Sequence, residues 1–294
     1  MKKTKGRKQA SKKRVFRFWL IFILVLLVGG LLVRVLLNFQ QAKLASFSRL
    51  NFVLLTSQNQ ILVLSLEGQE GLVLTLTASE KVNVPRGFGE YELGKVYGLG
   101  ELEKKGDQLL QETVREVLQA PVFGYFSYPQ NLNEKSWEKP KSFLKKIFWE
   151  AFWGRVKTNL KKEDLALLYW RASRLNENLC RVKKTSGPTE NLFQDRRLRE
   201  ESLSIEILNA TNHNGLAQQA AQFLEKAGGR VVRTADAKQE GNCRILVRKK
   251  TQNYTSQWLS AVFQCPLQES ETSLRADLVL ILGENHWKKQ SERW

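Results

Sequence analysis

Sixteen consecutive residues, Phe18 through Val33, carry no polar side chain, and Val35, Leu36 and Leu37 extend the run past Arg34. About 20 helical residues cross roughly 30 Å of hydrocarbon, so the pattern predicts a transmembrane helix over 18–37. After it the apolar runs shorten. Phe52–Leu55, Ile61–Leu66 and Leu72–Thr77 are separated by polar or glycine-bearing breaks and read as buried strands, with Val82–Val84 as a shorter extended piece. Pro85 to Gly89 is turn-rich. From Asp107 to Gln119 the period becomes helical: Leu109, Leu110, Val114, Val117 and Leu118 share a face, and Gln111, Glu112 and Arg115 are expected to face water. Pro121 ends that helix, and Val122–Tyr128 reads as a strand whose Tyr125, Phe126 and Tyr128 belong to a sheet core.

Between Trp137 and Asn159, Phe143, Leu144, Ile147, Phe148, Phe152 and Val156 recur at helical spacing, with Trp149 and Trp153 beside them. Eight Lys/Arg and two Glu lie between Trp137 and Lys162. The segment is either an amphipathic helix capping the sheet or an interfacial helix on an anionic membrane. A second helix covers about Glu163 to Asn178, and the polar stretch 181–202, with Gly187 and Pro188, reads as a linker. The last part reads as β-α-β-β-α-β: strands at 203–208, 231–233, 244–247 and 278–282, helices at 216–227 and 255–263, then a polar tail. That order predicts a small two-layer domain of the ferredoxin-like kind.

Charge fixes the expected orientation. Nine Lys/Arg and no acid occupy residues 1–17, and such a flank stays cytoplasmic, which places the C-terminal bulk outside the cell membrane as a single-pass protein. A cleaved signal peptide is the other reading, but the run is long for that and lacks a clean small-residue cleavage site. The net charge is +18; beyond the tail 38 Lys/Arg face 29 Asp/Glu, about +9. A basic exterior suits membrane lipid headgroups, phosphate-bearing wall polymers or lipid pyrophosphates. Nucleic acid is excluded as a partner by the orientation.

Three cysteines are too few for a disulfide scaffold; Cys243 and Cys265 either pair or stay as buried thiols. His213 and His286 are the only histidines, which excludes a multi-histidine metal site, and no Ser-His-Asp or Cys-His set is apparent. Asn209 to Gly215 is either an anion-binding loop or a helix cap. Two Asn-X-Thr sequons carry little weight.

The stretch Ser204 to Ala217, with Ile205-Glu206-Ile207-Leu208-Asn209 and Gly215-Leu216-Ala217, resembles the opening of the LytR C-terminal domain, and Arg275 to Gly283 resembles its closing strand. Upstream, Lys81-Val-Asn-Val-Pro85-Arg86-Gly87-Phe-Gly89 through Tyr97, and Val156 to Leu160, resemble the catalytic domain of the LytR–CpsA–Psr family. The resemblance implies an α/β chain in five parts: a basic tail (1–17), a transmembrane helix (18–37), a degenerate LytR–CpsA–Psr-like domain (45–180), a linker (181–202) and the LytR C-terminal-like domain (203–286). Active members of that family transfer glycopolymers from polyprenyl-pyrophosphate lipids to the cell wall with a divalent metal, which needs carboxylates for the metal and arginines for the phosphates.

This chain departs from the family where those groups belong. Thr56-Ser57-Gln58-Asn59-Gln60 stands in place of the family's charged loop after the first strand, and Ser79 replaces the arginine of its I-P-R-D turn, leaving Glu80. One carboxylate is a poor Mg²⁺ site. Arg86, with Lys95, Lys81 and Glu80, is the remaining candidate ligand-binding set. No catalytic residue, metal ligand or cofactor is assigned. The expectation is a non-catalytic envelope protein that binds a polyprenyl-linked glycan, a cell-wall polymer or an envelope partner. Two alternatives stand beside it. One is a diverged ligase using Mg²⁺ and a site built from Arg86, Glu80, Glu90 and Lys95. The other is a transcriptional attenuator, ranked last because so little of the chain faces the cytoplasm.

Overall fold

The computed structural model of the chain describes residues 42–130, 132, 134–185, 192–248, 253–270 and 273–291. The expected transmembrane helix lies outside them; among the described residues no helix is long and apolar enough to cross a membrane.

The first domain is built on strands β1 (Arg49–Thr56), β2 (Ile61–Glu67) and β3 (Glu70–Leu76), which form an antiparallel meander. The hairpin β4 (Lys81–Val84) and β5 (Gly89–Glu92) stands apart as a two-stranded sheet. Helices α1 (Val96–Glu101) and α2 (Gly106–Leu118) follow, then β6 (Gly124–Tyr128), α3 (Pro140–Phe152), β7 (Lys157–Thr158), α4 (Lys162–Ser173) and β8 (Cys180–Thr185). The six-stranded sheet has the order β7-β6-β1-β2-β3-β8, with β6 parallel to β1 and β8 parallel to β3.

Successive side chains of a strand point to opposite faces. Phe52, Leu54, Leu62 and Leu64 therefore meet α3 and α4, while Val53, Leu55, Ile61 and Val63 meet α2. With both faces covered, the strands read as unbroken apolar runs. Phe52, Phe126 and Phe148 interlock on the α3 side, with ring centroids 5.6 to 6.2 Å apart. Helix α3 is shorter than its apolar period suggests. Pro140 opens it, and Gly154, at φ +75°, turns the chain just after it.

The stretch read as a linker is partly structure. Residues 180–185 add the edge strand β8, and α5 (Arg196–Glu201) follows the undescribed residues 186–191. Lysines at 183 and 184 hid the strand, because an edge needs charge on its open side.

The second domain comprises β9 (Ser204–Ala210), α6 (Leu216–Lys226), β10 (Arg230–Asp236), β11 (Arg244–Val247), α7 (Tyr254–Phe263), β12 (Leu267–Glu269), β13 (Leu278–Gly283) and α8 (Glu284–Ser291). The two-layer expectation agrees with the packing: Ile205, Ile207, Leu278 and Leu280 join one core with Ala220, Leu224, Trp258 and Leu259 of α6 and α7. The ferredoxin-like topology does not. The sheet order is β10-β9-β13-β11-β12, with β9 and β10 parallel neighbours and β11 and β12 likewise. Each helix thus links adjacent strands, whereas the ferredoxin plan splits its βαβ units around an inserted strand. The short, exposed β12 and the polar α8 escape the sequence pattern.

A buried polar joint ties the domains together. Asp195, at the N-cap of α5, accepts hydrogen bonds from the amides of Arg197 and Leu198 through Oδ1 (3.0 and 3.2 Å). Its Oδ2 accepts from the Arg49 amide (3.2 Å) and the Tyr254 hydroxyl (2.5 Å). The same tyrosine oxygen accepts from the Ser48 amide (2.8 Å). Beside it, Glu67 takes Arg49 Nη2 at 2.5 Å and the Arg196 amide at 2.6 Å.

Candidate functional site

The β4–β5 register separates the residues proposed from sequence. Lys81 pairs with Glu92 at the base of the hairpin, and Val84 pairs with Gly89 next to the tip. Glu80 lies at the base, its carbonyl accepting from the Leu93 amide at 2.9 Å. Lys95 is at the same end, its ammonium 3.1 Å from Glu92 and largely exposed. Arg86 sits in the tip, beyond Val84, and three residues of strand already span ~10 Å. The hairpin therefore gathers Lys81, Lys95 and Glu80 at one end and holds Arg86 at the other. Glu90 lies between, opposite Asn83.

Arg86 adopts φ +65°, a conformation unusual for a side chain with a Cβ, and its guanidinium grips Glu112 on α2 through Nε and Nη2 at 3.0 and 2.9 Å. The fork holds the tip against α2 and neutralises Arg86. Glu112 and Arg115, expected to face water, are engaged instead. The Arg115 guanidinium lies 5.1 Å from the Phe223 ring centre on α6.

These contacts border a cleft of about 590 Å³ between the hairpin tip, the end of α2 and the second domain. Arg86, Arg115 and Glu116 line one wall; Phe223, Phe263 and Trp287 line the other. Trp287 stacks on His213 at 4.1 Å, and His213 Nε2 is 3.1 Å from Glu284. The cleft offers aromatic faces and, with Arg86 held by Glu112, the Arg115 guanidinium beside Glu116.

Burial pushes the Glu116 carboxyl up to about 7, opposed by Arg115 and reinforced by Glu112. A carboxyl raised on folding adds stability below its unfolded value of 4.5, and that stability is lost as pH rises through about 7. Glu116→Gln should thus leave stability unchanged near pH 4 and raise it by about 1–2 kcal/mol at pH 8, after discounting for its partial exposure. Urea unfolding of both chains at the two pH values checks this; equal differences at both would remove Glu116 as the cause.

The β1–β2 connection is closed on itself. The Thr56 amide donates to the Gln60 carbonyl (3.0 Å), the Asn59 amide to the Thr56 carbonyl (3.0 Å), and the Gln60 amide to Thr56 Oγ1 (3.1 Å). Its backbone amides and the Thr56 hydroxyl serve the turn, Gln60 Oε1 is buried without a hydrogen-bond partner among the described residues, and the connection carries no charge.

In the second domain Cys243 and Cys265 form a disulfide, the pairing that sequence left open. His286, read as the last residue of the domain, near the polar tail, is buried in α8 with Nδ1 4.0 Å from Cys265 Sγ. Ligand atoms of these three residues lie within 4.8 Å of one another, but the disulfide leaves neither sulfur as a thiolate to bind a metal. Only the α8 fold could have revealed this cluster.

The two α/β sheets, the hairpin and the cleft define a two-domain α/β architecture. Residues 202–286 match the family described as LytR cell envelope-related transcriptional attenuator, so the second domain is a LytR C-terminal domain. Solved structures with a partial likeness include a transcriptional regulator from Enterococcus faecalis, 11% identical over 50% of this chain and 77% of that one, TM-score 0.36. TagT from B. subtilis is 13% identical over 84% and 89%, TM-score 0.25. A LytR-CPS2A-psr family protein, YwtF (TagT), with bound octaprenyl pyrophosphate lipid is 12% identical over 83% and 88%, TM-score 0.24. No curated protein matches the chain.

Proposed function

We propose that this chain is a membrane-anchored, extracytoplasmic cell-envelope protein that binds a polyprenyl-linked glycan or wall polymer without turning it over. The observation that carries the non-catalytic part is the β1–β2 turn. A neutral segment bonded to itself has no carboxylate for a metal, and Arg86, the nearest substitute for a phosphate clamp, is already paired with Glu112. The ligand class follows from the resemblance at both ends of the second domain and at residues 81–97. The cleft beside Phe223 and Trp287 is its proposed seat, with Lys81, Lys95 and Glu80 offering further polar contacts at the hairpin base. The basic tail before residues 18–37 supports the orientation, and a disulfide fits an oxidising compartment.

Full-length protein in detergent, titrated with a polyprenyl-pyrophosphate-linked glycan and followed by native mass spectrometry, should bind saturably. Trp287→Ala is expected to weaken that binding about tenfold, the loss of one buried aromatic contact. With Mg²⁺ present, no polyprenyl pyrophosphate should be released. Release that disappears in Arg86→Ala would establish the ligase alternative, and a reporter fused after Trp294 that is active only in the cytoplasm would overturn the orientation.

A further inference from the structure

Helix α3 has two apolar faces, and the core uses one. Phe143, Leu144, Ile147 and Phe148 are buried against the sheet. On the other side Trp149 and Trp153 remain 47% and 61% exposed, and Trp170 of α4 is 43% exposed. These are not scattered single residues. Trp149 lies 5.4 to 6.3 Å, centre to centre, from Phe152, Trp153 and Tyr169, so the rings form a continuous aromatic surface across α3 and α4. Monomeric soluble surfaces rarely leave such a patch to water.

Cations ring the patch. Lys145 stands over Tyr169 at 5.7 Å, Lys162 over Phe152 at 6.0 Å and Arg174 over Trp170 at 4.0 Å. Beside Trp153 a shallow trough of about 730 Å³ is floored by Phe152 and Leu165 and rimmed by Arg155 and Lys162. Indoles with an apolar body and a polar edge, flanked by long cationic stems, are the chemistry of the membrane–water boundary. A second copy of the chain would instead bring like charges together, since eight Lys/Arg against two Glu lie between Trp137 and Lys162.

The course of the chain places the same surface at the bilayer. The described residues begin at Ala42, and the turn that follows is fixed to α4: the Leu44 amide donates to Asp164 (3.2 Å), while Arg171 donates to the carbonyls of Phe47 (2.8 Å) and Ala45 (3.2 Å). Residues 38–41 alone separate Ala42 from the end of the apolar run at Leu37. Five Cα steps reach at most about 18 Å. At 100° per residue, Trp170 lies on the exposed arc of α4 between Arg171, which holds that turn, and Tyr169, which meets Trp149.

We propose that the surface formed by Trp149, Trp153 and Trp170 with their flanking cations docks on the anionic leaflet of the bilayer that holds residues 18–37. The inference rests on the anchored orientation proposed above. Docking inserts the indoles at headgroup depth and sets the body of the protein at a fixed orientation to the membrane.

Full-length chain in nanodiscs tests it. With brominated phosphatidylglycerol, tryptophan quenching should be about twofold greater in the wild type than in a Trp149→Gln/Trp153→Gln/Trp170→Gln variant, and the difference should shrink in brominated phosphatidylcholine. Trp19 and the other indoles supply the same background in both chains. Lys145→Glu/Lys162→Glu keeps all the rings and should reduce the quenching in phosphatidylglycerol alone; it decides the matter if the triple variant misfolds by circular dichroism. Equal quenching in wild type and variants overturns docking, as does burial of this surface between two copies on one disc. Extraction by alkaline carbonate separates the two proposals: a chain that is released sinks the anchor, whereas one that stays inserted with Trp149 and Trp153 unquenched sinks the docking alone.

Discussion

Replacing Asp195 with alanine is expected to lower the stability of the folded chain by about 3–5 kcal/mol, the largest loss from any single side chain considered. The carboxylate is 3% exposed and accepts four hydrogen bonds. Removing it deletes the N-cap of α5, worth about 1 kcal/mol. It also leaves the Arg49 amide and the Tyr254 hydroxyl without their acceptor, at about 1–3 kcal/mol for each buried group. Burial, then the bond to Asp195 and its charge, pushes the Tyr254 phenol well above its ordinary pKa, so the hydroxyl stays protonated and can only donate to that carboxylate. Tyr254→Phe keeps the cap and should cost less, about 1–2 kcal/mol. Because both groups bridge the domains, urea unfolding of Asp195→Ala should also split into two transitions. A single transition at the wild-type midpoint would mean that the joint contributes nothing.

Reduction of the Cys243–Cys265 bond should destabilise the second domain by about 3 kcal/mol, the chain-entropy value for a loop of this length. The bonded cysteines are 22 residues apart and bring β11 next to the end of α7. Cys243→Ser should have the same effect and make stability insensitive to reductant. Thiol titration gives an independent reading: one reactive thiol, Cys180, in the unfolded, unreduced chain, and three after reduction. Three thiols without reductant would remove the disulfide and, with it, the support it lends to an oxidising compartment.

The parts of this fold legible in the sequence are those where one local rule dominates. Strands β1 to β3 are buried on both faces, so apolar composition alone marks them. Helix α2 has a single stripe, and its period is clean. The illegible parts depend on partners far along the chain. Polar β8 becomes a strand because β3 offers it an edge, and α8 turns inward only at residues such as His286. At the candidate site the same limit applies. Nothing local in Arg86 announces Glu112, 26 residues on, and spacing cannot show that a hairpin will carry Lys81 and Arg86 to opposite ends. The missing charged loop was legible because it depends on residue type alone; the cleft was not, because two domains make it.

The hydrogen bond from the Ser48 amide to the Tyr254 hydroxyl joins groups 206 positions apart. During synthesis, the Ser48 amide, just before β1, therefore waits for this acceptor long after β2 and β6 have become available to the strand itself. A nascent chain stopped before Tyr254 would hold Asp195 without its tyrosine partner, and contacts of such long range form slowly. A product truncated before Tyr254 would thus keep the strands of its first domain and lack the stabilisation, about 1–2 kcal/mol, that the tyrosine hydroxyl lends to the joint.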